Sequence, residues 1–311
     1  MNPALSIIIF TTLAGAAQGL AVVMALSRLL GAGLDNAFVA RSLWVALALS
    51  IVSLIASFFH LGRPMRAWRS AMMWRTSWMS REVIVLPVFI LLVGTWAGML
   101  SFSARPAEVT PILPLALIAV SALLWYCTAM IYVCIRFIQE WAHPLTIVNY
   151  TAIGLASGLV LAGALGVACG QPKFVAQVAI WAVAMTALAW LTRALALRRN
   201  AGLKPKSTLQ SATGIKAPVI VQKSMGMTGG SFNTREFFHH ASAAAFRRMK
   251  LIFQLFAFAV PLALMGLALV SGSSAPWLLA APIQIAGVLA ERWFFFAQAR
   301  HPQNLYYQVV S

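Results

Sequence analysis

Acidic side chains are almost missing from this sequence: its 311 residues include six, Asp35, Glu82, Glu108, Glu140, Glu236 and Glu291. Charged residues of every kind make up 9% of the chain, where a soluble domain has about a quarter. So few polar groups cannot solvate a surface of this size, which excludes a soluble domain. Cysteine is scarce as well. Cys127, Cys134 and Cys169 form no CxxC pair and sit within or at the ends of apolar segments. An iron–sulfur cluster takes about four thiolates and a structural zinc ion a comparable set, so neither is expected, and the cysteines read as packing residues. No Lys or Arg precedes the first apolar run, MNPALSIIIFTTLAGAAQGLAVVMAL. That run also exceeds the roughly 7–15 residues of a secretory h-region, which predicts an uncleaved first helix.

Apolar runs are what the sequence has, at 61% hydrophobic. A spanning helix needs about 20 mostly apolar residues, and eight segments qualify, at about 4–28, 38–59, 82–102, 111–135, 146–168, 174–197, 250–271 and 276–297. Gly31, Gly33, Gly62, Pro64, Pro106, Pro144, Pro172, Gly272 and Pro276 punctuate the gaps. The expected fold is an all-α integral membrane protein, a bundle of eight transmembrane helices forming a single membrane domain over 1–311, with one long polar loop at about 198–249.

The formal charge of +17 lies mostly between the runs. The second-to-third, fourth-to-fifth and sixth-to-seventh gaps, with the two ends, fall on one side and take nearly all the Lys and Arg, among them Arg63, Arg66, Arg193, Arg198, Arg199, Lys204, Lys206, Arg292 and Arg300. The other side takes Arg28, Arg41, Arg105 and Lys173. The positive-inside rule therefore places both termini in the cytoplasm, in a bacterial inner membrane. Basic charge so placed serves topology and contact with lipid headgroups. Nucleic acid is not an expected partner, since no basic folded domain is present to bind it. The long loop, with KPKSTLQSATG and SMGMTGGSFNTREFFHH, reads either as a flexible linker or as a docking surface for a partner subunit. The spacings Gly15–Gly19, Gly154–Gly158 and Gly166–Gly170 suit close helix approach.

Polar groups at the edge of the hydrocarbon are costly and are the first functional candidates. They are densest in the second-to-third connection, FFHLGRPMRAWRSAMMWRTSWMSREVIVLPV. His60 closes the second run and Glu82 opens the third, with Arg63, Arg66, Trp78 and Arg81 between them. An interfacial aromatic and basic belt accounts for the Trp and most Arg residues, and a helix-capping charge is one account of Glu82. A His and a carboxylate at the membrane edge also suit a quinone or quinol, whose oxygens gain or lose protons as electrons move. The fourth-to-fifth connection adds Arg136, Glu140 and His143 as accessory candidates, and the last run ends with Glu291, Arg292, Arg300 and His301, which read as interfacial ion pairs. All five histidines lie near segment ends or in the long loop, so an intrahelical haem is not expected.

The run His60-Leu61-Gly62-Arg63-Pro64-Met65-Arg66-Ala67, followed by Ser80-Arg81-Glu82, resembles the DmsC-type membrane anchors of dimethyl sulfoxide reductase-like complexes. The IQEWAHPLTIVNY connection, the long loop and the ERWFFFAQARHPQNLYYQ end are more similar to the branch accompanying cytoplasmic sulfite dehydrogenases (SoeC-like). The resemblance implies an anchor that binds ubiquinone or menaquinone, carries no haem or iron–sulfur cluster itself, and holds an iron–sulfur subunit with [4Fe-4S] clusters beside a molybdopterin catalytic subunit. It carries quinone binding and proton transfer onto His60 and Glu82, with Arg63 and Arg66 beside them. It leaves no catalytic residue in this chain alone and no metal ligand. Two other readings stay open at this level: a small-anion transporter using the arginine cluster, and a passive anchor without quinone contact.

Overall fold

A computed structural model of the chain describes residues 1–59, 61–102, 111–224, 232–305 and 307. Eight helices are long and apolar enough to cross a membrane: α1 (Leu5–Leu29), α2 (Asn36–Phe58), α3 (Trp78–Phe102), α4 (Ile112–Val133), α5 (Pro144–Ala168), α6 (Pro172–Ala201), α7 (Ala243–Ser271) and α8 (Pro276–Ala297). No strand is present among the described residues. This is the expected all-helical membrane bundle, and helices are the elements that satisfy every backbone group internally in lipid.

Three helices extend beyond their apolar runs. α3 begins at Trp78, where the Arg81 guanidinium gathers the preceding turn by donating to the carbonyls of Trp74 and Arg75, each at 2.8 Å. α6 continues to Ala201. α7 starts at Ala243, capped by the Ser242 hydroxyl accepting the Ala245 N–H at 3.1 Å. Hydropathy stops at the first charged residues, whereas the backbone continues through them because Arg, Lys and Ala favour helix. The long polar loop contains short helical turns at Leu209–Thr213 and Phe232–Glu236.

α1 is the central helix, packed against α2, α4, α5 and α8. Its crossing with α5 is the tightest in the bundle. A Cβ on Gly19 would lie 2.0 Å from the Gly154 carbonyl oxygen, and one on Gly158 would lie 2.0 Å from the Gly19 carbonyl carbon. The two backbones therefore touch, as small residues allow between membrane helices. The Gly166–Gly170 pair serves differently. Gly166 accommodates the side chains of Val175 and Phe174 on α6, and Gly170 closes the α5 end at φ +66°, a conformation glycine adopts without penalty.

In α7, residues Leu255–Ala259 form a π-helical turn. Gln284 of α8 donates to the Ala257 carbonyl at 3.2 Å, and a Cβ on Gly287 would lie 2.1 Å from the Ala257 nitrogen. The N-terminus also meets the segment that follows α8. The Met1 amino group donates to the Ala299 carbonyl at 2.9 Å, and the Asn2 N–H donates to the Glu236 carbonyl at 2.8 Å. One end of the bundle thus gathers the N-terminus, the C-terminal segment and part of the long loop.

Overpacking a filled contact typically costs about 1–3 kcal/mol. Gly158→Ala is expected to lower the unfolding temperature in detergent by several degrees, while Gly98→Ala, with no atom within 4 Å of its added Cβ, leaves it unchanged. Paired thermal melts of the two variants check this.

Candidate functional site

Glu82 sits in the second turn of α3 and points into the bundle, 7% exposed. A carboxyl there needs a partner, and α4 supplies one: the Thr128 hydroxyl donates to Glu82 Oε1. Trp78 and Arg81 precede it in the first turn of α3. The Arg81 guanidinium lies 4.0 Å from the centre of the Trp78 ring, and Trp78 meets Tyr126 edge-on at 5.3 Å. Arg63 and Arg66 are exposed, at the start of the 3-10 helix Pro64–Ala71, and neither pairs with a carboxylate among the described residues. His60 lies outside the described residues. The structure thus joins Glu82 to Thr128 and leaves the two connection arginines facing outward.

The candidates of the fourth-to-fifth connection lie apart from Glu82 in their contacts. Arg136 is exposed. Glu140 accepts the Arg300 backbone N–H at 3.4 Å and so ties the fourth-to-fifth connection to the C-terminal segment. His143 is the N-cap of α5, its Nδ1 accepting the Leu145 N–H at 3.2 Å. Burial, and then the nearby Arg199 guanidinium, hold its imidazole below the ordinary histidine range.

A second group of charges was not legible as a site. Glu291, Arg193 and Arg292 are 1%, 2% and 3% exposed. Glu291 Oε1 is 2.6 Å from Arg193 Nε, and Glu291 Oε2 is 3.5 Å from Arg292 Nε. The expectation that Arg193 is a loop charge and that Glu291 and Arg292 are interfacial is therefore corrected. α6 runs on past its expected end to Ala201, while α8 ends at Ala297 as expected, and positions 193 and 291–292 lie about two turns inside those ends. The signal was present in the sequence. A lone acid inside an apolar run demands an opposite charge from another helix, and Arg193 lies inside the run of α6.

Aromatic rings link the two groups. The Arg292 guanidinium lies 3.8 Å from the centre of the Tyr150 ring, and Tyr150 stacks on Tyr132 with centroids 5.8 Å apart. Both tyrosines are within electrostatic reach of Glu82 and of Arg292. A small cavity of about 10 Å³ lies between Thr128, Tyr150 and Arg292, enough for roughly one water. Thr12 Oγ1, Gln18 Oε1 and Trp125 Nε1, from residues that line it, have no protein partner. Two guanidinium groups and two carboxyl groups thus share the interior on the side where the termini lie. The carboxyl of Glu82 is held by Thr128, and the two guanidinium groups are held by Glu291. Among the described residues, no three His, Cys, Asp or Glu side chains gather as metal ligands would.

Removing one partner of a buried ion pair costs about 3–5 kcal/mol. Arg193→Met is therefore expected to destabilise the bundle by that amount in denaturant unfolding, whereas Arg198→Met, in the last turn of α6, leaves it within error. The α5 cap carries a pH signature. Because the folded His143 binds its proton less readily than the unfolded one, unfolding gains protons as pH falls below about 6.5, and stability falls with it. His143→Ala is expected to cost about 1 kcal/mol at neutral pH and to flatten this acid limb, read from unfolding curves between pH 5 and pH 8.

Comparison with known proteins agrees with this architecture. Residues 1–271 match the family model described as DMSO reductase anchor subunit (DmsC). The chain is 47% identical over 327 aligned positions to the C subunit of the sulfite dehydrogenase of Allochromatium vinosum, an alignment that covers all of both proteins. It is 26% identical over 174 positions to the C component of the anaerobic dimethyl sulfoxide reductase of Haemophilus influenzae, which covers 56% of this protein and 62% of that one. With its eight membrane helices and its match over most of its length, this chain belongs to the DmsC family of membrane anchor subunits.

Proposed function

We propose that this chain is the quinone-reactive anchor of a molybdopterin and iron–sulfur oxidoreductase, passing electrons from sulfite oxidised in the cytoplasm to the quinone pool. The observation that carries the reading is the buried Glu82 carboxyl, hydrogen-bonded by Thr128 and set directly beneath the arginine- and tryptophan-rich second-to-third connection. Full-length similarity to the C subunit of a sulfite dehydrogenase supports the choice of sulfite as electron donor.

The residues fit a quinone. Its head presents two oxygens that need hydrogen-bonding partners and a flat ring that suits aromatic walls. Glu82 supplies the proton-carrying group, Thr128 orients it, and Trp78 with Tyr126 supplies the aromatic edge. His60, Arg63 and Arg66 complete the proposed site from the connection above, while the isoprenoid tail stays in lipid. Partner [4Fe-4S] clusters would deliver electrons singly from the molybdenum site. Each quinone takes two electrons and two protons, and Glu82 would give a proton to a quinone oxygen and recover one from the aqueous side. The Thr128 hydroxyl would go on donating to the carboxylate in the interval. The proposed orientation sets the termini and the 198–249 loop in the cytoplasm, beside the soluble subunits. Run backwards, the same groups would oxidise menaquinol, as an anchor of the dimethyl sulfoxide reductase type requires. Membership of an anchor family weighs against the small-anion transporter.

Glu82→Gln keeps shape and removes the ionisable proton. In the purified complex it is expected to lower sulfite-dependent quinone reduction by about 100-fold or more, the usual weight of a positioned acid or base. Dye-linked sulfite oxidation should stay at the wild-type rate. Unchanged quinone turnover would leave a passive anchor. Periplasmic labelling of a tag in the 198–249 loop would overturn the orientation.

A further inference from the structure

A larger cavity, of about 400 Å³, opens at the end of the bundle where the N-terminus meets the segment that follows α8. Three segments form it: the fourth-to-fifth connection, the stretch after α6, and the C-terminal segment from Arg300. They are fastened to one another. Gln139 donates to the Lys204 carbonyl at 3.1 Å, Arg199 donates to the Gln139 carbonyl at 3.0 Å, and His301 meets Phe137 edge-on with centroids 5.3 Å apart. Lys204, Lys206 and Arg300 stand exposed around an apolar floor that includes Phe137 and Leu305. Glu140 is the one acid in the lining. The ion pairs among the described residues all involve Glu291, so none of these three cations is ion-paired there.

We propose that this cationic cavity is the docking point for an acidic segment of the iron–sulfur subunit. The inference rests on the anchor reading given above and names the surface through which it operates. α6 has 30 residues, so it is about 45 Å long, against a hydrocarbon core of about 30 Å. Its last turn and the lysines beyond it therefore lie outside the acyl chains, within reach of a soluble partner. The mixture of an apolar floor and a cationic rim suits a peptide with carboxylates flanking an apolar residue. It also complements a protein that carries +17 and has few acids with which to bind a basic partner.

The test is assembly of the whole complex. With Lys204→Glu, Lys206→Glu and Arg300→Glu together, recovery of the soluble subunits on the tagged anchor is expected to fall at least tenfold, with the unfolding temperature of the anchor unchanged. The charge-keeping set Lys204→Arg, Lys206→Arg and Arg300→Lys should assemble as wild type. In the wild-type complex a zero-length carbodiimide should couple Lys204 or Lys206 to carboxylates of the iron–sulfur subunit, and absence of such links would overturn the proposal. Normal assembly of the charge-reversed anchor would overturn it too. If that variant assembled normally but lost a tightly held anionic phospholipid in native mass spectrometry, the cavity would be a headgroup site instead. A wild-type anchor that purifies with no soluble subunit at all would defeat the anchor reading itself, a separate outcome.

Discussion

Backbone contact between α1 and α5 at Gly19 and Gly158 is the constraint around which the rest of the bundle is arranged. Helices in lipid have no hydrophobic force to draw them together, so close packing must do it. Removing the side chains at this crossing lets two helix axes approach, and α2, α4 and α8 then close around the central α1. The same approach sets Trp125 of α4 against Gly154, where an added Cβ would lie 2.6 Å from its indole nitrogen. Thr128, one turn further along α4, is thereby held where it can reach Glu82. Helix packing and the position of the carboxyl are thus one problem with one solution.

Charge follows the same economy of space. Arg193, Glu291 and Arg292 come from two helices with almost no exposure to water, so each finds its polar partner among its neighbours alone. An isolated guanidinium in that setting would be expelled or hydrated. The pairing explains why α6 and α8 can carry charges inside apolar runs. The surplus guanidinium, Arg292, rests on Tyr150, whose ring face offers electron density to a desolvated cation.

The architecture was readable because the hydrophobic run length is a direct physical requirement of the bilayer, and eight runs became eight helices. Edges were less readable: α3, α6 and α7 continue through charged residues that helix backbone tolerates and hydropathy does not. Glycine spacing announced the α1–α5 crossing correctly, yet could not say that Gly166 makes room for neighbouring side chains and Gly170 ends a helix. Within the candidate site, the motif pointed to Glu82, but nothing in a linear pattern names Thr128 as its donor, since that pairing depends on the rotation of α4. Arg136, Glu140 and His143 stood out by residue type, and two of them prove to fasten the connection and cap a helix. The buried triad was hidden for the opposite reason. Charges near a run's end look interfacial until the helix that faces them is known.

The π-helical turn at Leu255–Ala259 gives α7 a property that a uniform helix lacks. One extra residue in a helix turns everything beyond it by about 100°. The half before the turn carries Arg247, Arg248 and Lys250, and the half after it is almost entirely apolar. The bulge therefore works as a phase shifter, letting one rod present a water-facing stripe at one end and a lipid-facing stripe at the other without twisting between them. Because Gln284 occupies the carbonyl at Ala257, the phase is keyed to α8. Deleting a single residue there would rotate the basic half out of step with the two termini while leaving the hydropathy of the span almost untouched.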